Sequence, residues 1–138
     1  MTLAKSNPDT NCLTIEGITE PVILDYFETL NAGDFEGTAA LFAADGVMYP
    51  PFESAIAAAD LADYLEAEAV GMTLYPQQGI LKNLAEDRQI EVRVTGKVDT
   101  PYFSVNVAWS FVLNSEREIL AVEIKLLASP QELLNLRR

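Results

Sequence analysis

The chain has 138 residues, of which 49% are hydrophobic and 22% charged, and its formal net charge is −12. That length suits one domain with a core of useful size, and the composition excludes a disordered chain. The acidity excludes a nucleic-acid partner, whose phosphates would be repelled, and argues against electrostatic docking on anionic lipid. Solubility explains the charge equally well. The chain holds one cysteine, Cys12, and no histidine. An intrachain disulfide is therefore impossible, and zinc binding or histidine acid–base catalysis lacks its usual groups. No apolar run reaches membrane-helix length, and the first residues lack a signal peptide's apolar stretch, so a cytoplasmic protein is expected.

Residues 1–11 are polar, with Pro8, Asp9 and Asn11, and read as a flexible lead-in to a domain over 12–138. Thr19 can cap a helix with Pro21 in its first turn. Val22, Ile23, Tyr26, Phe27 and Leu30 then share one helical face. Asn31 to Asp34 ends that helix and caps a second, which carries Phe35, Ala39, Leu41 and Phe42 and stops near Asp45-Gly46. In Val47 to Phe52 the two prolines allow only an edge strand or an extended arm. An alanine-rich helix is predicted from Ile56 to Val70, ended by Gly71.

The period then changes from 3.6 to 2. Thr73 to Leu84 is strand-like but interrupted by Pro76 and Gly79. Ile90, Val92, Val94 and Val98 form one face of the next strand. Val105, Val107, Trp109, Phe111 and Leu113 form one face of another, and Asn114 to Arg117 a turn. A last strand from Ile119 to Ala128 sets Leu120, Val122, Ile124 and Leu126 on one face. Ser129-Pro130-Gln131-Glu132 is a capping box that opens a tail helix over 130–138. Helices followed by strands predict an α+β fold, with helices on a strongly curved antiparallel or mixed sheet. Such a sheet forms a cone filled by side chains or by a ligand.

Tyr26 and Trp109 each lie on the apolar side of an element, and each is a large ring with one polar tip. Facing one cavity, they would offer an O–H and an N–H donor in an apolar chamber, which suits a carbonyl on a hydrophobic molecule. From the pattern alone, two ordinary core aromatics with water or backbone partners are the favoured reading. Asp34 and Asp45 read as helix-end residues, Asp60 and Asp63 as a solvated helix face, and Glu123 and Lys125 as a polar strand face. No acid–base dyad is visible, so a catalytic role is not expected.

Several stretches resemble a known family. Leu24 to Ala32 followed by Asp34-Phe35, the Tyr49-Pro50-Pro51-Phe52 arm, and Val94-Thr95-Gly96-Lys97-Val98 are similar to the C-terminal domain of the orange carotenoid protein. So are Thr100-Pro101-Tyr102-Phe103, Asn106-Val107-Ala108-Trp109 and the closing Leu126 to Asn135. The resemblance runs in order from about residue 12 to the end and is most specific in the last two segments. It implies the nuclear transport factor 2-like (NTF2-like) fold and a stand-alone homologue of that domain from cyanobacteria.

It further implies that Tyr26 and Trp109 hydrogen-bond the keto oxygen of a ketocarotenoid, canthaxanthin or echinenone. Leu30, Met48, Phe52, Val94, Val98, Tyr102, Val107, Phe111, Ile124 and Leu126 are then the candidate lining. Tyr102 stands where the family pattern carries tryptophan. Family members of this kind are carriers that form a homodimer around one pigment and exchange it with a helical carotenoid protein. For this chain that implies transient contact with carotenoid-containing membranes, a location near thylakoids, and photoprotection through singlet-oxygen quenching. An isomerase- or dehydratase-like enzyme of the same superfamily, acting on an apolar ketone, and a ligand-free dimerisation module are the alternatives.

Overall fold

A computed structural model describes residues 13–84 and 88–127. The lead-in, Cys12 and the tail helix expected over 130–138 lie outside the described residues. Helix α1 spans Pro21–Ala32 and helix α2 Phe35–Ala39. Strands β1 (Phe42–Tyr49) and β2 (Ile56–Ala57) follow, then helix α3 (Ala58–Glu68). Strands β3 (Thr73–Asn83), β4 (Ile90–Asp99), β5 (Ser104–Leu113) and β6 (Ile119–Leu127) complete the fold. The strands form one open six-stranded sheet in the order β2-β1-β6-β5-β4-β3. It is mixed, because β1 runs parallel to β6 while every other pairing is antiparallel.

Helix α1 begins with proline at its first position, where a missing N–H costs nothing. Its N-cap is Glu20 rather than Thr19, without a side-chain cap. Its end is reached through Gly33 at φ 77, with Gly33 N–H donating to Leu30 O and Asp34 N–H to Thr29 O. That left-handed turn favours glycine. Asp34 then caps α2, its Oδ1 accepting from Gly37 N–H at 3.0 Å.

The second helix is shorter than the sequence suggests. It ends at Ala39, and Asp45 lies within β1 instead of at a helix end. The alanines of this stretch favour helix, but pairing of Phe42 with Ile119 and of Val47 with Ala121 draws the chain into the sheet. The register shifts between Phe42 and Val47, where Gly46 lies so near Ile119 O that a Cβ would sit 2.6 Å away. The prolines fall beyond the end of β1, which is second from the edge, with β2 as the edge strand. The predicted break in β3 is a register shift between Pro76 and Gln78 within one strand.

The inward rows of β4 and β5 follow the predicted alternation, with Val92, Val94, Phe111 and Leu113 wholly buried. On β6 the inward face starts with buried Ile119 and Val122 instead of Leu120, because the register shifts opposite Leu113. Helix α1 lies over β5. Tyr26 meets the Phe111 ring edge-on at 5.0 Å and Phe27 meets Trp109 at 4.8 Å. Leu61 and Leu65 are the buried face of α3. The sheet end at Ile90, Leu113 and Ile119 is packed shut, whereas at the other end Leu126 is 43% exposed. The molecule therefore has a closed end and an open one. No helix among the described residues is long and apolar enough to cross a membrane.

Candidate functional site

A cavity of about 460 Å³ occupies the open end, between α1, α3 and the sheet. Tyr26 and Leu30 enter it from α1, and Tyr64, Leu65, Glu68 and Ala69 from α3. The latter four recur one helical turn apart, so α3 presents one continuous strip. Met48, Val98, Val107, Trp109, Ile124 and Leu126 form the sheet side. Pairing of Trp109 with Ile124 and of Val107 with Leu126 keeps each pair on one face. The arm from Pro50 to Glu53 closes one flank, and Thr100, Phe103 and Val105 the other.

The inner end of the cavity is apolar apart from two ring tips. Tyr26 is fully buried, and its Oη is the one buried side-chain polar atom among the described residues without a hydrogen-bond partner. Its ring is fixed by edge contacts to Phe27 and Phe111. Burial pushes its hydroxyl pKa well above the usual tyrosine value, so the group is a neutral donor at any physiological pH. An unpaired buried hydroxyl costs on the order of 1–3 kcal/mol. Trp109, 1% exposed, lines the same cavity and carries an indole N–H, a donor with no acceptor role.

The mouth has a different character. Phe52 is 92% exposed and sits at φ 64, a left-handed conformation that costs a bulky residue energy. Phe103, Leu126 and Val70 are further exposed apolar side chains at this end or beside α3. Thr100 shapes the β4–β5 turn, its Oγ1 accepting from Tyr102 N–H at 3.1 Å and Phe103 N–H at 3.0 Å. Tyr64 is half-buried and lines the cavity together with Glu53 and Glu68. Its hydroxyl is pushed up to about 12, first by burial and then by the Glu53 and Glu68 carboxylates.

Nine of the predicted lining residues meet in this cavity: Tyr26, Leu30, Met48, Phe52, Val98, Val107, Trp109, Ile124 and Leu126. Three do not. Val94 and Phe111 are wholly buried in the core and absent from the cavity wall, filling the closed part of the sheet. Tyr102 is 89% exposed, because the Thr100 turn presents its neighbour Phe103 to the cavity instead. The α3 strip and the two glutamates were missed. Their one-turn spacing was legible, but the side of the sheet they cover was not. Among the described residues no group of histidine, cysteine, aspartate or glutamate could hold a metal ion.

No family model matches the chain. The orange carotenoid-binding protein of Synechocystis sp. is 41% identical over 131 residues, which cover 91% of this chain. The chain is homologous to the C-terminal domain of the orange carotenoid protein. The counterpart from Limnospira maxima is 42% identical over 127 residues. This chain spans only 41% and 40% of the length of these curated relatives. The Anabaena (Nostoc) sp. orange carotenoid protein binding canthaxanthin superposes with a TM-score of 0.83 at 39% identity, covering 96% of this chain and 44% of that one. An NTF2-like protein from Cytophaga hutchinsonii superposes with a TM-score of 0.63 at 10% identity, covering 88% and 99%. The epoxide hydrolase/cyclase-like enzyme SalBIII does so at 0.60 and 17%, covering 79% and 90%. The fold is thus NTF2-like, as expected. The curated sequence relatives are carotenoid-binding proteins, while SalBIII shares the fold alone.

Proposed function

We propose that the cavity holds one end of a ketocarotenoid, with Tyr26 and Trp109 donating hydrogen bonds to its keto oxygen. The unpartnered Tyr26 hydroxyl, buried inside an apolar chamber, carries this reading. A carbonyl on an apolar molecule supplies the missing acceptor without bringing a charge. Burying on the order of 300 Å² of polyene contributes about 7 kcal/mol before binding costs, and the two neutral hydrogen bonds add roughly 1–3 kcal/mol. Burial therefore sets affinity, and the two donors set orientation, keto preference and colour. Canthaxanthin and echinenone both meet this requirement. The cavity carboxylates, Glu53 and Glu68, are exposed at the mouth, so none is positioned beside Tyr26 for enzymatic proton transfer.

A ketocarotenoid is longer than one such cavity. A symmetric homodimer joined mouth to mouth encloses it, and the exposed apolar rim around Phe52, Phe103 and Leu126 favours that arrangement. The protein then acts as a carrier that takes pigment from carotenoid-containing membranes, near thylakoids in the cytoplasm, and passes it to a helical carotenoid protein. Singlet-oxygen quenching follows from the pigment itself. The test is uptake of canthaxanthin against β-carotene, which has the same polyene and no keto group. Canthaxanthin should bind roughly 5- to 150-fold tighter, the equivalent of two hydrogen bonds, and with a red-shifted band. Equal affinity and an unshifted spectrum would overturn the assignment of Tyr26 and Trp109.

A further inference from the structure

We infer that the mouth of the cavity is a charge filter, in which Glu53 and Glu68 admit neutral apolar ligands and reject anionic amphiphiles such as fatty acids. This rests on the reading that the cavity takes an apolar ligand, and it narrows the class of that ligand. Apolar walls alone do not make the distinction, because hydrophobic burial is non-directional and rewards an acyl chain as it rewards a polyene. The selection has to come from the few polar groups present.

The two carboxylates arrive from different elements. Glu53 ends the arm after β1, and Glu68 closes the last turn of α3. Both are exposed and both edge the cavity, so they stand at its opening. Tyr64 lies one turn before Glu68 on α3 and lines the same cavity as Glu53, so all three side chains edge one opening. The raised pKa of Tyr64 has both glutamates among its causes, so both fields act at one place. Among the described lining residues there is no lysine or arginine to offset them.

A fatty acid has two ways to enter. With its carboxylate inward, the charge is stripped of water next to Tyr26, where the lining offers neutral donors and no cation. With its carboxylate outward, the charge sits beside Glu53 and Glu68 and is repelled, to a degree that salt reduces. A neutral ligand meets neither penalty.

The experiment measures binding of cis-parinaric acid and of its methyl ester by fluorescence, at low and high salt. It compares the wild-type chain with the Glu53→Gln/Glu68→Gln double variant. At low salt the wild type should bind the ester about tenfold tighter than the acid, and high salt should narrow that ratio. The double variant should gain about three- to tenfold for the acid and leave the ester unchanged. Equal binding of acid and ester by the wild type, or a variant that shifts both alike, would overturn the filter. The single variants Glu53→Gln and Glu68→Gln, each removing one carboxylate, keep the test decisive if the double variant folds poorly: each should gain for the acid alone, and no gain in either would overturn the filter. Failure of both ligands to bind the wild type would instead overturn the apolar-cavity reading, and this inference with it.

Discussion

Replacing Tyr26 by phenylalanine should move stability and binding in opposite directions. The ring would keep its edge contacts with Phe27 and Phe111, so packing is preserved. Only the hydroxyl goes, and that hydroxyl is buried without a partner among the protein's own groups. Its removal relieves a desolvation cost of about 1–2 kcal/mol. For a domain of this size that raises Tm by roughly 3–7 °C. Binding a ketocarotenoid satisfies the hydroxyl in the wild type, so the same quantity is lost from affinity in the variant, about 5- to 30-fold in Kd. Calorimetry of the empty protein and pigment titration measure the two sides of one thermodynamic cycle. A variant less stable than wild type would show that the hydroxyl is already satisfied inside the empty cavity. A more stable variant with unchanged affinity would show that it does not reach the carbonyl.

Three further outcomes are expected. Trp109→Phe should shift the visible band of the pigment complex toward the free pigment while weakening binding by no more than about tenfold, since one neutral hydrogen bond is worth about 0.5–1.5 kcal/mol; an unchanged spectrum would remove Trp109 from the carbonyl. Phe52→Gly should raise unfolding stability in urea by about 0.5–1 kcal/mol, because relief of a left-handed conformation outweighs the added chain entropy and an almost fully exposed ring loses no packing. The same variant should retain pigment less well on gel filtration, and full retention would count against Phe52 as part of the mouth. Burial raises the phenol pKa of Tyr26, and burial with two nearby carboxylates raises that of Tyr64 to about 12. The unfolded chain then releases these protons first, so stability holds up to about pH 10 and falls as pH rises toward 12. Near-ultraviolet phenolate absorbance should show Tyr26 titrating only with unfolding, and its titration in the folded protein would contradict its burial.

Much of this was legible because it is local. The apolar face of α1 and the alternating rows of β4 and β5 repeat at helix and strand periods, so Tyr26 and Trp109 could be set on inward faces. Their meeting in one cavity is a product of α1 crossing β5, which no period encodes. The stretch from Leu41 to Asp45 was misread because its alanines favour helix, whereas β1 is held by parallel pairing to β6, far along the chain. Tyr102 and Phe103 are adjacent aromatics of similar appeal, and only the hydrogen bonds to Thr100 decide which one reaches the cavity. Val94 and Phe111 share inward rows with true lining residues, but they lie too close to the closed end. Glu53 and Glu68 follow no pattern in the sequence that sets them apart, and only the fold brings them to the edge of one cavity.

The account stands most directly on an absorption spectrum of the protein purified from cells that make canthaxanthin. A broad visible band, red-shifted from the free pigment and eluting with a dimer, is the predicted result. A colourless, well-folded protein from the same cells would contradict it.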